Sequence, residues 1–335
     1  MIPAKECVRR ALSWAVARAG LSGAWRRLRR TRGTVILYGH RLTGDDEGYL
    51  GGLSPEWFEQ QLAYLRRHFA PISLEELVCC YEQCDPVANN GVVITFDDGF
   101  RDNLTNGLPL LLHHDVPATV FVVTRSISTG ELPWPQRLGF VLQHTARDEI
   151  QLEPGVEPAP IGTACERSAA CQRIKTGLRA LSREERDGQI QRYAEELGVS
   201  PPQDRMLSWA DLQELRHGGV EIGAHTYSHA HLARIPIREA EEEMRRSLTD
   251  LREHLGIERP FFCFPAGSVN DELVELARRL GFRGCFQSSH RRRFNRLDTS
   301  DQFGLSRLGL PNAPGYVLEA EIDGPFHSLR SLYRR

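Results

Sequence analysis

The stretch Gly91–Phe100, "GVVITFDDGF", decides the fold: an apolar, β-branched run delivers two adjacent carboxylates, Asp97 and Asp98, and then a glycine. A near-continuously apolar run of this length reads as a strand buried on both faces, as in a parallel sheet. Burying one acid is costly unless it is paired or bound, and two like charges side by side cost more. In parallel α/β folds the reactive groups gather beyond the carboxyl ends of the strands, which is where this pair falls. Successive strand side chains point to opposite sides, so the two acids can hold different roles. A divalent cation resolves the electrostatic problem by binding one carboxylate and keeping the other ionised through its field.

Working outward, similar short runs recur: "TVILY" (34–38), "ATVFVV" (118–123), "VEIGA" (220–224), and later "FFCF", "RGCF" and "FGLSRLGL". Helical patterns lie between them. "SPEWFEQQLAYLRRHF" has Ser54 placed to cap, Pro55 at the first helical position and Phe58, Leu62 and Leu65 on one face. "IREAEEEMRRSLTDLREHLGI" aligns Ala240, Met244, Leu248, Leu251 and Leu255, with Glu241–Arg245 and Glu242–Arg246 pairs four apart. This alternation predicts an α/β fold, a parallel sheet or barrel with helices outside. Residues from about 130 to 206 break the rhythm with seven prolines around polar helical pieces, and read as a partly helical insertion.

Composition narrows the function classes. The chain has 335 residues and a net charge of −2, with no basic excess to attract nucleic acid. The local clusters "WRRLRRTR" (25–32) and "HRRRFNR" (290–296) read as solvated surface. Eight cysteines lack the paired spacing of a zinc ribbon and are expected to be free thiols. Residues 1–32 form an amphipathic, basic-ended segment interrupted by Arg18; it lacks the pattern of a signal peptide or a membrane span. It is expected to pack on the domain, with peripheral contact to a membrane surface as the alternative, in the cytoplasm or at the inner membrane face.

The ligands that Asp97 and Asp98 need appear in "EIGAHTYSHAHL" (221–232), again just past a predicted strand. His225 and His229, four apart, can reach one ion if the segment turns helically after residue 225. Two histidines and a carboxylate are a common zinc set that leaves a position for water. His231, beyond the pair, reads as a surface or supporting residue.

Together "TFDDG" (95–99) and "HTYSH" (225–229) resemble the first two motifs of the polysaccharide deacetylases of the NodB-homology type, a carbohydrate esterase group. "LSPEWFEQQLAYL", "LSWADLQEL" and "FCFPAG" extend the resemblance from about Val35 to Leu310. It implies an irregular (β/α) barrel as a catalytic domain over 33–332. It also implies that Asp98, His225 and His229 bind the metal, usually Zn2+, that Asp97 is the catalytic base, and that the Ala266 backbone N–H in "FPAG" steadies the oxyanion. Three departures stand out. The Arg that precedes the proline in many members is replaced by Cys263 and Phe264, which leaves Asp97 without its partner. The Asp…Trp motif of the acetyl pocket has no clear match, and the late Leu-His motif is missing. "LYGHR" resembles the Tyr-His of members with permuted motif order and makes His40 the general-acid candidate, with His327 its rival.

The activity implied is metal-dependent removal of N-acetyl groups from N-acetylhexosamine units of a polysaccharide or lipid-linked glycan. An amidohydrolase acting on a small amide or cyclic ureide, and a non-catalytic glycan-binding protein, are the alternatives.

Overall fold

A computed structural model describes residues 4–28, 33–44, 52–85, 90–152, 157–288, 294–298 and 300–324. Two helices, α1 (Ala4–Arg18) and α2 (Leu21–Leu28), precede β1 (Val35–Gly39). There follow α3 (Pro55–His68), β2 (Ala70–Pro71), α4 (Leu74–Gln83), β3 (Gly91–Asp98), α5 (Leu108–His114), β4 (Ala118–Val122) and α6 (Thr124–Thr129). Next come α7 (Trp134–His144), β5 (Glu149–Ile150), β6 (Ala159–Pro160), α8 (Ala164–Leu178), α9 (Arg183–Leu197), α10 (Trp209–His217), β7 (Glu221–Ala224) and α11 (Ile237–Leu255). The described chain finishes with β8 (Phe262–Cys263), α12 (Asp271–Leu280), β9 (Cys285–Ser288), β10 (Leu305–Gly309) and α13 (Gly315–Ile322).

Seven parallel strands close a barrel in the order β1–β10–β9–β8–β7–β4–β3 and back to β1, with the two-residue β2 appended to β3. This is the irregular barrel that the family resemblance implies, and the β1–β3 pairing decides between the open sheet and the barrel that the alternating pattern left open. All eight residues of β3 are buried because both faces are covered. Val92, Ile94 and Phe96 join Phe58, Leu62 and Leu65 of α3 in the layer between barrel and helices. Val93 shares the lumen with Ile36, Phe121, Phe286 and Leu305, while Leu74, Leu77 and Val78 of α4 close the amino end. Strand register pairs Asp97 with Phe121, Asp98 with Val122, and Val122 with Ala224, so residues from three strands emerge at one carboxyl rim.

Helix α11 buries the stripe read from its sequence, with Glu241–Arg245 at 2.5 Å and Glu242–Arg246 at 3.8 Å on its outer side. Helix α3 starts at Pro55 as expected, but the Ser54 side chain caps nothing. Its backbone N–H instead donates to Asn312 Oδ1 at 3.0 Å, so a loop after β10 holds this helix start. The proline-rich stretch after residue 130 contains α7, α8, α9 and the antiparallel pair β5–β6, around a hydrophobic cluster of its own. All eight cysteines are free. No described helix is long and apolar enough to cross a membrane.

Candidate active site

The apolar run of β3 carries Asp97 and Asp98 to the rim, and the backbone separates them there. Asp97 continues the lumen-facing row of Val93 and Thr95. Asp98 adopts φ +75° and Gly99 φ +86°, which turns the chain out of the strand. At Gly99 a Cβ would lie 2.9 Å from Ile127 and 3.1 Å from Val122, so the turn needs glycine for both conformation and space. Thr226, His229 and Ala266 also hold positive φ. Such conformations cost energy for non-glycine residues and cluster where a site is held in shape by its surroundings.

Asp97 is clamped. Arg307 on β10 donates from Nη1 and Nη2 to its two carboxylate oxygens, each at 2.7 Å. Arg307 is wholly inside the lumen, between the rings of Tyr38 and Phe121, and also donates to Thr95 Oγ1 at 3.0 Å and Cys263 Sγ at 2.8 Å. Burial by itself pushes the Asp97 carboxyl up. The Arg307 guanidinium more than offsets this, with help from His225 and His40, and holds it at about 2. The expectation that Asp97 lacks an arginine partner is therefore corrected: the partner comes from the last strand rather than from beside Pro265. The signal was present as a charged residue inside the apolar run "LSRLGL", on a strand that the fold buries.

Asp98, fully buried, has no comparable partner. Gln136 of α7 donates to Oδ2 at 2.7 Å, whereas Oδ1 has no hydrogen-bond donor among the described residues. Toward Oδ1 point His229 Nε2 at 3.3 Å and His225 Nε2 at 3.7 Å. His225 is oriented by its Nδ1–H, which donates to the Cys263 carbonyl at 2.8 Å and leaves a lone pair on Nε2. Burial pushes both imidazoles down from their ordinary values, so they are neutral near pH 7 and their contacts with Asp98 are not ion pairs. Burial pushes the Asp98 carboxyl up, against the pull of His40 and His225.

The ligand atoms of Asp98, His225 and His229 all lie within 4.8 Å of one another. An acceptor oxygen faced by neutral imidazole nitrogens is what a divalent cation satisfies, so the donor set fits a zinc-type ion. Asp97, His225 and Cys263 form an overlapping trio. It is the poorer set, because Arg307 already occupies Asp97 and burial pushes the Cys263 thiol up. The segment from His225 to His229 is not the helical turn expected. Left-handed Thr226 and His229 fold it into a tight irregular loop, which Glu243 secures by accepting from the Ser228 N–H at 2.7 Å and Oγ at 2.6 Å. His231 is buried rather than at the surface, against the ring of Trp134; burial and the nearby Arg179, Arg186 and Lys175 push it down to about 4. Trp134 also donates from Nε1 to the His229 carbonyl at 2.9 Å.

His40 follows β1, is exposed, and lies near enough for its charge to be felt at Asp97, Asp98 and His229. Its loop is pinned to the one after β3: Asn103 donates to the His40 carbonyl at 2.8 Å, and Asp102 accepts from Arg41 Nε and the Leu42 N–H, both at 2.9 Å. Ala266 is exposed just beyond β8, with φ +52°. His327 lies outside the described residues. Sequence reading missed Arg307, Gln136 and Trp134; the latter two sit in the proline-rich stretch, far along the chain from either motif.

The family described as polysaccharide deacetylase matches residues 85–285, more than half of the sequence, including both the Asp97–Asp98 and His225–His229 motifs. The chain belongs to the polysaccharide deacetylase family. Among solved structures of similar fold, IcaB from Ammonifex degensii is 20% identical with a TM-score of 0.58, the match covering 88% of this chain and 98% of that one. The Streptococcus pyogenes deacetylase PplD, solved in complex with acetate, is 17% identical with a TM-score of 0.55, over 86% of this chain and 96% of its own. The BpsB deacetylase domain from Bordetella bronchiseptica is 18% identical with a TM-score of 0.50, over 83% and 95%. No curated protein matches the sequence. At these identities the structural likeness speaks for the fold; the family follows from the sequence match.

Proposed function

We propose that this family member is a metal-dependent hydrolase that removes N-acetyl groups from N-acetylhexosamine units of a polysaccharide or lipid-linked glycan. One observation carries the reading. Asp98 presents an unsatisfied buried oxygen to two neutral imidazoles, beside an Asp97 that Arg307 keeps ionised. Asp98, His225 and His229 would hold the ion, Zn2+ by the chemistry of this donor set, and when bound it would supply a Lewis acid that polarises the acetamide carbonyl and makes water more acidic.

The chain's own groups perform the proton transfers. Asp97 accepts the proton of the attacking water, ionised across the neutral range because its carboxyl is held at about 2. Arg307 fixes its orientation through the two-point contact. His40, on a loop pinned by Asp102 and Asn103, gives a proton to the departing amine nitrogen as the C–N bond breaks. The Ala266 N–H donates to the oxyanion. The products are acetate and the free amino sugar, and PplD in complex with acetate offers a solved parallel.

Acetate release from N-acetylglucosamine oligomers, measured with zinc or cobalt and after chelation, tests this. Metal-restored release supports the proposal. Turnover of small amides or cyclic ureides in place of the oligomers would overturn the substrate assignment, and glycan binding without release would overturn the enzymatic one.

A further inference from the structure

Helix α1 is packed with its polar side inward. The face against α13 and its neighbours carries Arg9, Arg10 and Ser13: Arg9 pairs with Glu321 at 3.0 Å, Arg10 donates to the Asn312 carbonyl at 3.2 Å and lies 4.8 Å over the Trp57 ring, and Ser13 is buried. The opposite face presents Val8, Ala11, Leu12, Trp14, Ala15 and Ala19 to solvent. Four of the five large hydrophobic residues exposed among the described residues lie on α1 and α2, namely Val8, Leu12, Trp14 and Leu21, each at least half exposed. Single exposed apolar residues are ordinary in soluble proteins, but their confinement to one helix pair marks a surface that something apolar covers.

Charge identifies the occupant. Residues 4–28 hold six Lys or Arg against one acid, Glu6, a net of +5, so the rest of the chain is net −7. Arg18 lies 5.6 Å over the Trp14 ring, at the edge of the apolar face. An apolar helix face edged by Arg18 and carrying Trp14, on a segment of net positive charge, has the chemistry of a helix lying in the headgroup region of an anionic bilayer. The acidic remainder of the molecule is repelled by the same surface, which orients the protein. We propose that α1 and α2 dock the protein on anionic lipid, α1 lying with its Val8–Leu12–Trp14 face in the bilayer interface. Arg10 touches Trp57 in the first turn of α3 and Asn312 in the loop after β10, so docking would set the carboxyl rim of the barrel close to the lipid surface.

Co-sedimentation of the full chain with phosphatidylcholine vesicles, with and without phosphatidylglycerol, tests the proposal. Binding is expected only to the anionic vesicles and should weaken with salt. The double variant Leu12→Glu, Trp14→Glu is expected to weaken it about tenfold or more, and Arg26→Gln with Arg27→Gln to weaken it and flatten the salt dependence. The altered residues are solvent-exposed or on the basic segment, so circular dichroism and acetate release from a soluble oligomer should match the wild type. That release assay reads the barrel site alone, and its failure is separable from a failure to bind vesicles. Absence of binding, equal binding to both vesicle types, or binding untouched by the Leu12, Trp14 variant would overturn the proposal. A solution dimer that this variant splits would also overturn it, assigning the face to a second copy.

Discussion

The barrel holds carboxylates at both of its ends and treats them differently, with Glu221 half-buried at one and Asp97 and Asp98 buried at the other. At the amino end, Glu221 accepts from Thr119 Oγ1 at 2.7 Å and from the Leu74 and Glu75 N–H groups at 3.2 and 3.1 Å, at the start of α4. Both of its oxygens have neutral donors, and the first turn of a helix favours an anion. At the carboxyl end, Asp98 has one donor for two oxygens among the described residues, and Asp97 has a guanidinium that holds it ionised. An acid with a donor on each oxygen serves the architecture. One left open among positive-φ residues calls for a partner from outside the chain, which is the role proposed for Asp98.

The contrast can be broken first at Asp97. Asp97→Asn should lower acetate release by about 10²–10⁴-fold while zinc stoichiometry stays at wild-type level, because it removes the proposed proton acceptor and leaves the Asp98 set intact. Glu221→Gln, by contrast, should leave turnover per folded molecule unchanged.

Arg307→Gln should come next. It strips a buried charge of its partner and should cost about 3–5 kcal/mol of stability in chemical denaturation. It should also move the acid limb of the pH–rate profile upward. Arg307 is what lowers the Asp97 carboxyl, and without it burial raises the pKa, so the ionised form is lost at a higher pH. The corresponding stability runs the same way. In the wild type, the part due to the depressed Asp97 pKa is present above the ordinary carboxylate range and lost as pH falls through about 2.

Asp98→Asn sharpens the comparison from the opposite side. In metal-free protein at neutral pH the variant should be more stable than wild type by about 1–3 kcal/mol, since it removes an unsatisfied buried acceptor charge. Zinc is expected to raise the melting temperature of the wild type and to leave that of the variant unchanged. The Asp98 carboxyl is raised in the folded state, so metal-free wild type should lose stability as pH climbs from the ordinary carboxylate pKa to that raised value, and the variant should not. The smallest effect belongs to Glu221→Gln, about 1 kcal/mol from a weakened start of α4.

Much of this arrangement was legible in residue order. The apolar run into Asp97–Asp98 and the strand-end position of His225 located the rim, because strand alternation and burial are local properties of a few consecutive residues. The α11 stripe and the Pro55 start of α3 were readable for the same reason. Ser54 stands at the N-cap as read, but its hydroxyl makes no capping bond, and the tie from its N–H to Asn312, more than 250 residues away, was not readable from local sequence.

The chain order by itself determined a parallel sheet or barrel, a pair of acids at the carboxyl end of one strand and two histidines able to reach the same spot. Tertiary structure alone decided that Arg307 clamps Asp97, that Gln136 takes one oxygen of Asp98 and leaves the other open, and that His225 and His229 converge through left-handed residues instead of a helical turn. The physical reason is separation. A strand's faces are set by its immediate neighbours, whereas the charge balance of a buried carboxylate is set by whichever side chains barrel closure brings to it, and those come from opposite ends of the sequence.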